Sequence, residues 1–257
     1  MGNDRIFTAF LTIIIKEVSR FLRIWAQTIL PPAVSMTLYF IIFGSLIGPR
    51  IGTMGGFAYM EFIAPGIIMM SIINNSYSNV VSSFFGAKFQ RHIEEMLIAP
   101  IPDFVILAGY VFGGVARGLL VGMVVTVVAL LFTNLQIHSY FVVISIVAMT
   151  SVLFSLGGFI NAVFARNFDD ISIIPTFVLT PLIYLGGVFY SIDMLPGFWQ
   201  GVSKLNPILY MVNAFRYGIL GVSDIEITHA FAIISLFVVA LTIYALILLR
   251  KGTGLKS

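Results

Sequence analysis

Residues 24–47, 57–85, 104–132, 140–165, 171–190 and 230–249 are long apolar stretches in which charge almost vanishes. An α-helix rises about 1.5 Å per residue, so about 20 such residues cross a hydrocarbon core ~30 Å thick. In lipid every backbone polar group must find its partner within the protein, and runs of this length do so as helices. The whole chain agrees: 59% of its residues are apolar and 10% charged, against about 45–50% and about 25% in soluble domains. The expected fold is all-α, a polytopic membrane protein of six transmembrane helices in a single domain over residues 1–257. Pro31 and Pro32 fall inside the first span, and a kink is expected at Pro65-Gly66 in the second; neighbouring helices in lipid can re-satisfy the backbone groups that proline frees.

Two shorter elements complete the pattern. Residues 4–22 are apolar but notched, with Thr8, Thr12, Lys16 and Arg20 on one helical stripe, the signature of an amphipathic helix at the membrane interface with its polar stripe toward headgroups. Residues 208–220 are apolar and too short to span. Asn206-Pro207 makes a good helix start and Gly221 a good stop, so a re-entrant or interfacial outer helix is expected there, with a shorter one before it near residues 195–203. No cleavage site follows the first apolar stretch, and residues 4–22 are expected to remain in the mature protein.

Lys and Arg set the orientation. With the N-terminus inside, Arg5, Lys16, Arg20, Arg23, Lys88, Arg91, Arg166, Arg250, Lys251 and Lys256 are cytoplasmic, and only Arg50, Lys204 and Arg216 are outside. Both termini are then cytoplasmic. The chain has no cysteine, which excludes disulfides and thiolate chemistry, and its basic residues do not gather beside aromatics as a nucleic-acid surface would require.

Three segments carry possible function. The loop GAKFQRHIEEMLIAPIPD places Phe89, Ile93, Met96 and Leu97 on one helical face and Lys88, Arg91, His92 and Glu95 on the other, with Glu94 beside them. It is either a surface helix linking two spans or a docking helix whose apolar face enters a partner's groove. The turn ARNFDDISIIP offers Asp169 and Asp170 as caps for the next helix; no further ligands accompany them for a metal. Within the spans, Ser71, Asn75, Ser78, Asn79 and Ser82 form a polar stripe that suits a helix interface or a pathway, and Thr176, Thr180 and Tyr184 a weaker one. Arg117 lies deep in the third span, where an unpaired charge costs at least ~2.5–3.5 kcal/mol. A clamp onto a carboxylate or carbonyls is favoured there over contact with an anionic substrate. Gly114, Gly118 and Gly122 on the same helix suit close packing. His92, His138 and His229 lack metal-ligand spacing, and no phosphate-binding GxxxxGK[ST] loop occurs, so no cofactor is expected on this chain.

The order of elements, the helix ending EEMLIAPIP, the stretch FDDISIIPTFVLTPLIYLGGVFYSIDMLPGFWQ and the segment LNPILYMVNAFRYGILG resemble the permease subunits of the ABC type-2 transporter family, and within it the bacterial YadH-like permeases. The resemblance implies a subunit of the bacterial inner membrane that pairs with a second permease copy, as a homodimer, and with two cytoplasmic ATP-binding cassette subunits that hold ATP and Mg. It implies that residues 88–99 are the coupling helix, 4–22 the connecting helix and 192–220 the outer re-entrant helices, and that the cargo is a lipid, glycan or drug-like amphiphile moved outward. An ATP-independent transporter or channel is the alternative; it needs buried carboxylates, and the spans offer almost none beyond Glu61. An intramembrane enzyme would need a nucleophile or metal constellation that the sequence does not supply.

Overall fold

The structure is a computed structural model that describes residues 3–254; Lys256, counted above for orientation, lies outside them. Helix α1 (Asn3–Arg23) is followed by a helical rod, Trp25–Ile51, built from α2 (Trp25–Tyr39), a wider-wound π-helical part (Phe40–Ile47) and α3 (Gly48–Ile51). A small antiparallel hairpin of β1 (Thr53–Met54) and β2 (Phe57–Ala58) turns through Gly55 and Gly56, both at positive φ. Glycine takes that conformation without a Cβ penalty, and it delays the start of the next helix beyond the expected residue 57.

Helix α4 (Tyr59–Phe89) leads to the short α5 (His92–Ile98), then to α6 (Asp103–Leu130) and α7 (Tyr140–Phe164). A broken helix follows: α8 (Asp170–Ile174), a π-helical turn (Pro175–Leu179) and α9 (Thr180–Leu185). The chain ends with a 3-10 turn (Ile192–Met194), α10 (Gly197–Lys204), α11 (Pro207–Leu220) and α12 (Ile227–Lys251).

Helix α4 is the hub. It packs most extensively on α7 and α6, while α1 and α2 lie along α6, and α11 and α12 close the α7 side. The glycines of α6 explain how helices approach so closely. A Cβ at Gly114 would meet Ser155 Oγ and Val80, one at Gly118 would meet Ser76 Oγ, and one at Gly122 would meet Ile72. Without a hydrophobic drive between helices in lipid, such small-residue contacts and aromatic packing hold the bundle; the Phe84 ring lies 4.2 Å from Phe159 and 5.1 Å from Tyr110, centroid to centroid.

Among the described residues, four helical stretches are long and apolar enough to cross a membrane: Trp25–Ile51, α6, α7 and α12. The other two expected spans differ, each for a physical reason. Helix α4 has the length, at 31 residues, but its polar run from Ser71 to Ser83 is mostly turned inward, so it is a core helix wrapped by the others. Asp170–Leu185 is apolar but short, about 24 Å at 1.5 Å per residue. It stops before the expected residue 190 because Gly186 and Gly187, the latter at φ 72, turn the chain back.

The two ends of the bundle are distinct. At one, Lys88 Nζ donates to Val163 O (2.6 Å) and Ala165 O (2.7 Å), and Arg250 Nε stands 4.0 Å from Asp103 Oδ2; α5 belongs to this end. At the other, the His138 and Ser139 N–H groups donate to Ile219 O and Gly218 O, and the Tyr59 hydroxyl donates to Phe189 O.

Candidate functional site

The expected helix over residues 88–99 is two elements rather than one. α4 runs through Lys88 and Phe89, and the chain then breaks at Gln90 and Arg91, where Arg91 sits in the left-handed region at φ 62. That conformation costs a non-glycine residue roughly 1–2 kcal/mol, and the break re-aims α5. Lys88 therefore caps the last carbonyls of α7, where a cation also meets the negative helix end. Phe89 packs edge-on with Phe168 at 5.1 Å, beside the Phe85–Phe168 contact at 5.0 Å.

On α5 the apolar face is used by the chain itself. Ile93 is 2% exposed, and Met96 and Leu97 pack on the core. Arg91, His92 and Glu95 face outward, with Glu94 half-buried. Ile98 is 84% exposed, an apolar knob on a polar ridge. Between α5 and the first half of α1 lies a cleft of about 620 Å³ lined by Asp4, Arg5, Lys16, His92, Glu95 and Met96 among others. The end of the molecule that carries α5 thus offers a charged ridge beside a largely apolar cleft with charged side chains in its wall.

Helix α1 is not a free amphipathic helix. Ile13 and Glu17 sit over Gly109 and Gly113 of α6, and Glu17 is fully buried. Ser83 Oγ donates to Glu17 Oε1 at 2.6 Å. Arg20 reaches Glu17 at 3.4 Å and donates to the backbone (3.0 Å) and side-chain (2.7 Å) oxygens of Asn79. Lys16 stands 5.7 Å over the Tyr110 ring. Arg20, on the stripe expected to face headgroups, is thus turned to protein, because a buried carboxylate is tolerated only with a counter-charge and donors around it, while Lys16 keeps an exposed side chain. This latch ties α1 to the second half of α4. Sequence reading missed Glu17; the one available signal was its position one residue off the polar stripe.

The remaining polar residues divide. Asn79 holds Arg20, while Asn75 Nδ2 donates to Ser71 O and Ser82 Oγ to Ser78 O, both within α4. Ser71 and Asn75 are buried and Ser82 is exposed. Arg117 has no clamp: among the described residues its buried Nε finds no acceptor. Thr176, Thr180 and Tyr184 share an exposed flank of the Asp170–Leu185 helix with Phe177, which is 73% exposed. The Tyr184 hydroxyl lies 3.2 Å from that of Tyr39, and the rings of Tyr39, Phe43 and Tyr184 stack around Phe189.

Asp169 and Asp170 do not cap their helix in the expected way. Asn167 Oδ1 accepts the Asp170 N–H at 2.8 Å, and Asp170 Oδ2 accepts the N–H groups of Arg166 (2.8 Å) and Asn167 (3.3 Å), a reciprocal capping box led by Asn167. Among the described residues, Asp169 contributes only its backbone oxygen, which accepts from both the N–H and the Oγ of Ser172.

At the opposite end, α11 has the expected cap, Asn206 Oδ1 accepting the Ile208 N–H, and it stops at Gly221 with φ 77. Its 14 residues reach about 21 Å. Arg216, counted above on the outer side, is buried there, 1% exposed. It donates to Gly187 O at 2.6 Å, Phe62 O at 3.3 Å and Asn213 Oδ1 at 3.4 Å, and its guanidinium lies 3.9 Å over the Phe62 ring. It pins α11 to α4 and to the turn after α9.

Comparison with known proteins agrees with this geometry. Residues 8–220 match the family model of the ABC-2 type transporters. The chain is 60% identical over 242 residues, 94% of each sequence, to the inner membrane transport permease YadH of Escherichia coli K12. It is 24% identical over 215 residues, 83% of this chain and 82% of the relative, to nodulation protein J of Rhizobium leguminosarum bv. trifolii. The chain belongs to the ABC-2 type transporter family, as a membrane permease that is not itself an ATPase.

Proposed function

We propose that two copies of this chain form the membrane half of an exporter, each copy crossing the bilayer six times with both termini in the cytoplasm. Two ATP-binding cassette subunits, carrying ATP and Mg, dock at the end that bears α5. The observation that supports this most strongly is α5 itself: Ile93 anchors it in the core while Ile98 and the charged ridge of Arg91, His92 and Glu95 face outward. Such an element transmits force rather than absorbing it. Closure of the ATPase pair would shift α5 and, through α4 and the Glu17–Arg20–Asn79 latch, carry α1 along as a rigid body. A near-complete switch needs a difference of ~5.5 kcal/mol between the two states, which a loose docking element would not deliver. The exposed flank of Thr176, Thr180 and Tyr184 would meet the second copy or line the pathway, and the cargo would be an amphiphile of lipid, glycan or drug-like kind.

Exchanging Glu94 and Glu95 for Lys tests the docking role. We expect cargo-stimulated ATPase activity of the purified complex to fall by about tenfold or more, the equivalent of ~1.4 kcal/mol of lost coupling, while the chain still inserts in the membrane. Normal activity in that variant would contradict the role given to α5. Glu17 supplies the buried carboxylate that an ion-driven transporter would need, but it is already paired with Arg20. Uptake into proteoliposomes without any ATPase would favour that alternative.

A further inference from the structure

Two cavities at the end of the bundle opposite α5 stack on one flank. The first, about 440 Å³, is polar and holds Glu61, Asn134, Gln136 and His138. Among the described residues, the half-buried Glu61 carboxylate makes no hydrogen bond or ion pair. The second, about 520 Å³, is apolar, with Ile68, Ile72, Met123, Val127, Val147 and Phe215 in its wall. Its one hydroxyl, on Thr126, is turned back onto Gly122 O at 2.7 Å.

The same helices build both. On α4, Glu61, Ile68 and Ile72 fall at offsets of seven and eleven residues, which return to one face of a helix with 3.6 residues per turn. On α11, Phe215 of the apolar cavity is one turn from Ile219 of the polar one. The polar cavity therefore lies about 10 Å along α4 from the apolar one, nearer the rim. Met123 and Val127 stand 60% and 62% exposed, so the groove opens outward from the bundle rather than into its core.

We propose that this flank holds a phospholipid with an ammonium headgroup. Its acyl chain lies in the groove beside Ile72 and Val127, its ammonium meets Glu61, and its phosphate accepts from the side-chain amides of Asn134 and Gln136. Charge decides the headgroup: Glu61 is the one carboxylate in the cavity, and it stands against an anionic head. The proposal rests on the membrane placement given above, but not on the ATPase partnership, so the two can fail separately.

The test is lipid retention by the full chain. The protein is equilibrated in nanodiscs of equimolar phosphatidylethanolamine and phosphatidylglycerol, extracted in mild detergent, and its retained lipids are quantified by mass spectrometry. The wild type should retain phosphatidylethanolamine with an enrichment of about tenfold. Glu61→Lys should reverse that preference, a gain that a misfolded chain would not show, and Glu61→Gln should abolish it. Val127→Trp, which fills the groove, should lower retention of both lipids. Equal retention by the wild type, whether because the groove stays bare or because a second copy covers it, overturns the proposal; so does an unchanged preference in the Glu61 variants.

Discussion

Replacing Arg216 by Met should lower the thermal midpoint of the purified chain by roughly 10 °C, the consequence of about 3–5 kcal/mol in a domain of this size. The guanidinium is fully enclosed and serves three acceptors, Gly187 O, Phe62 O and Asn213 Oδ1, as well as the Phe62 ring. A hydrogen bond from a charged donor is worth about 1.5–3 kcal/mol, and a buried acceptor left bare costs its full desolvation. A desolvated cation over an aromatic face adds about 2 kcal/mol. These contributions overlap, so the sum is an upper bound. Arg216→Lys should recover only part of the loss, because an ammonium cannot present a fork to carbonyls on two different elements. Thermal unfolding followed by tryptophan fluorescence or light scattering checks both variants. An Arg216→Met protein as stable as the parent would mean that α11 is held by its apolar contacts alone.

Gly118→Leu should abolish accumulation of folded protein. A Cβ at Gly118 would already overlap Ser76 Oγ and crowd Ser151, and neither α4 nor α7 can retreat without opening the core against α6. Overpacking a close-packed site typically costs about 1–3 kcal/mol for an added methylene or two. An isobutyl group at a three-helix contact exceeds that range. Gly118→Ala should be tolerated with reduced stability, because a Ser76 rotamer change makes some room. Fluorescence-detected size-exclusion chromatography of membrane extracts distinguishes the cases: a monodisperse Gly118→Leu peak at wild-type yield would show that α4 and α6 are not in the contact described here. The Gly114–Ser155 contact gives an independent repeat of the test.

What was legible in the sequence follows from what is local. The long apolar runs, the cap at Asn206, the stop at Gly221 and the glycine stripe of α6 each depend on residues a few positions apart, and helix periodicity reports them. The latch is non-local. Glu17 meets Ser83 and Arg20 meets Asn79 across 66 and 59 residues, and on its own the α1 sequence resembles any interfacial helix. Sequence alone places Lys88 among the docking charges, because its acceptors, Val163 O and Ala165 O, are backbone atoms 75 and 77 residues away. The break before α5 carries no Gly or Pro; it depends on Arg91 accepting a left-handed backbone, which its composition does not announce. The burial of Arg216 is illegible for a related reason: positional counting gives an arginine in an outer connection its side of the membrane and not its exposure, and only the assembled rim shows the carbonyls it serves.

The docking end can be tested with one residue. The chain has no cysteine, so Ile98→Cys introduces a single thiol at the exposed tip of α5 without competing sites. In intact cells treated with a membrane-impermeant maleimide, a cytoplasmic α5 predicts no labelling until the membrane is broken. In the assembled transporter, a short bis-maleimide should link that thiol to a cysteine on the ATP-binding subunit, and ATP should change the yield. Labelling of Ile98→Cys from outside intact cells, or no link to the ATP-binding subunit in an active complex, would contradict the assignment of α5 as the element through which ATP drives this permease.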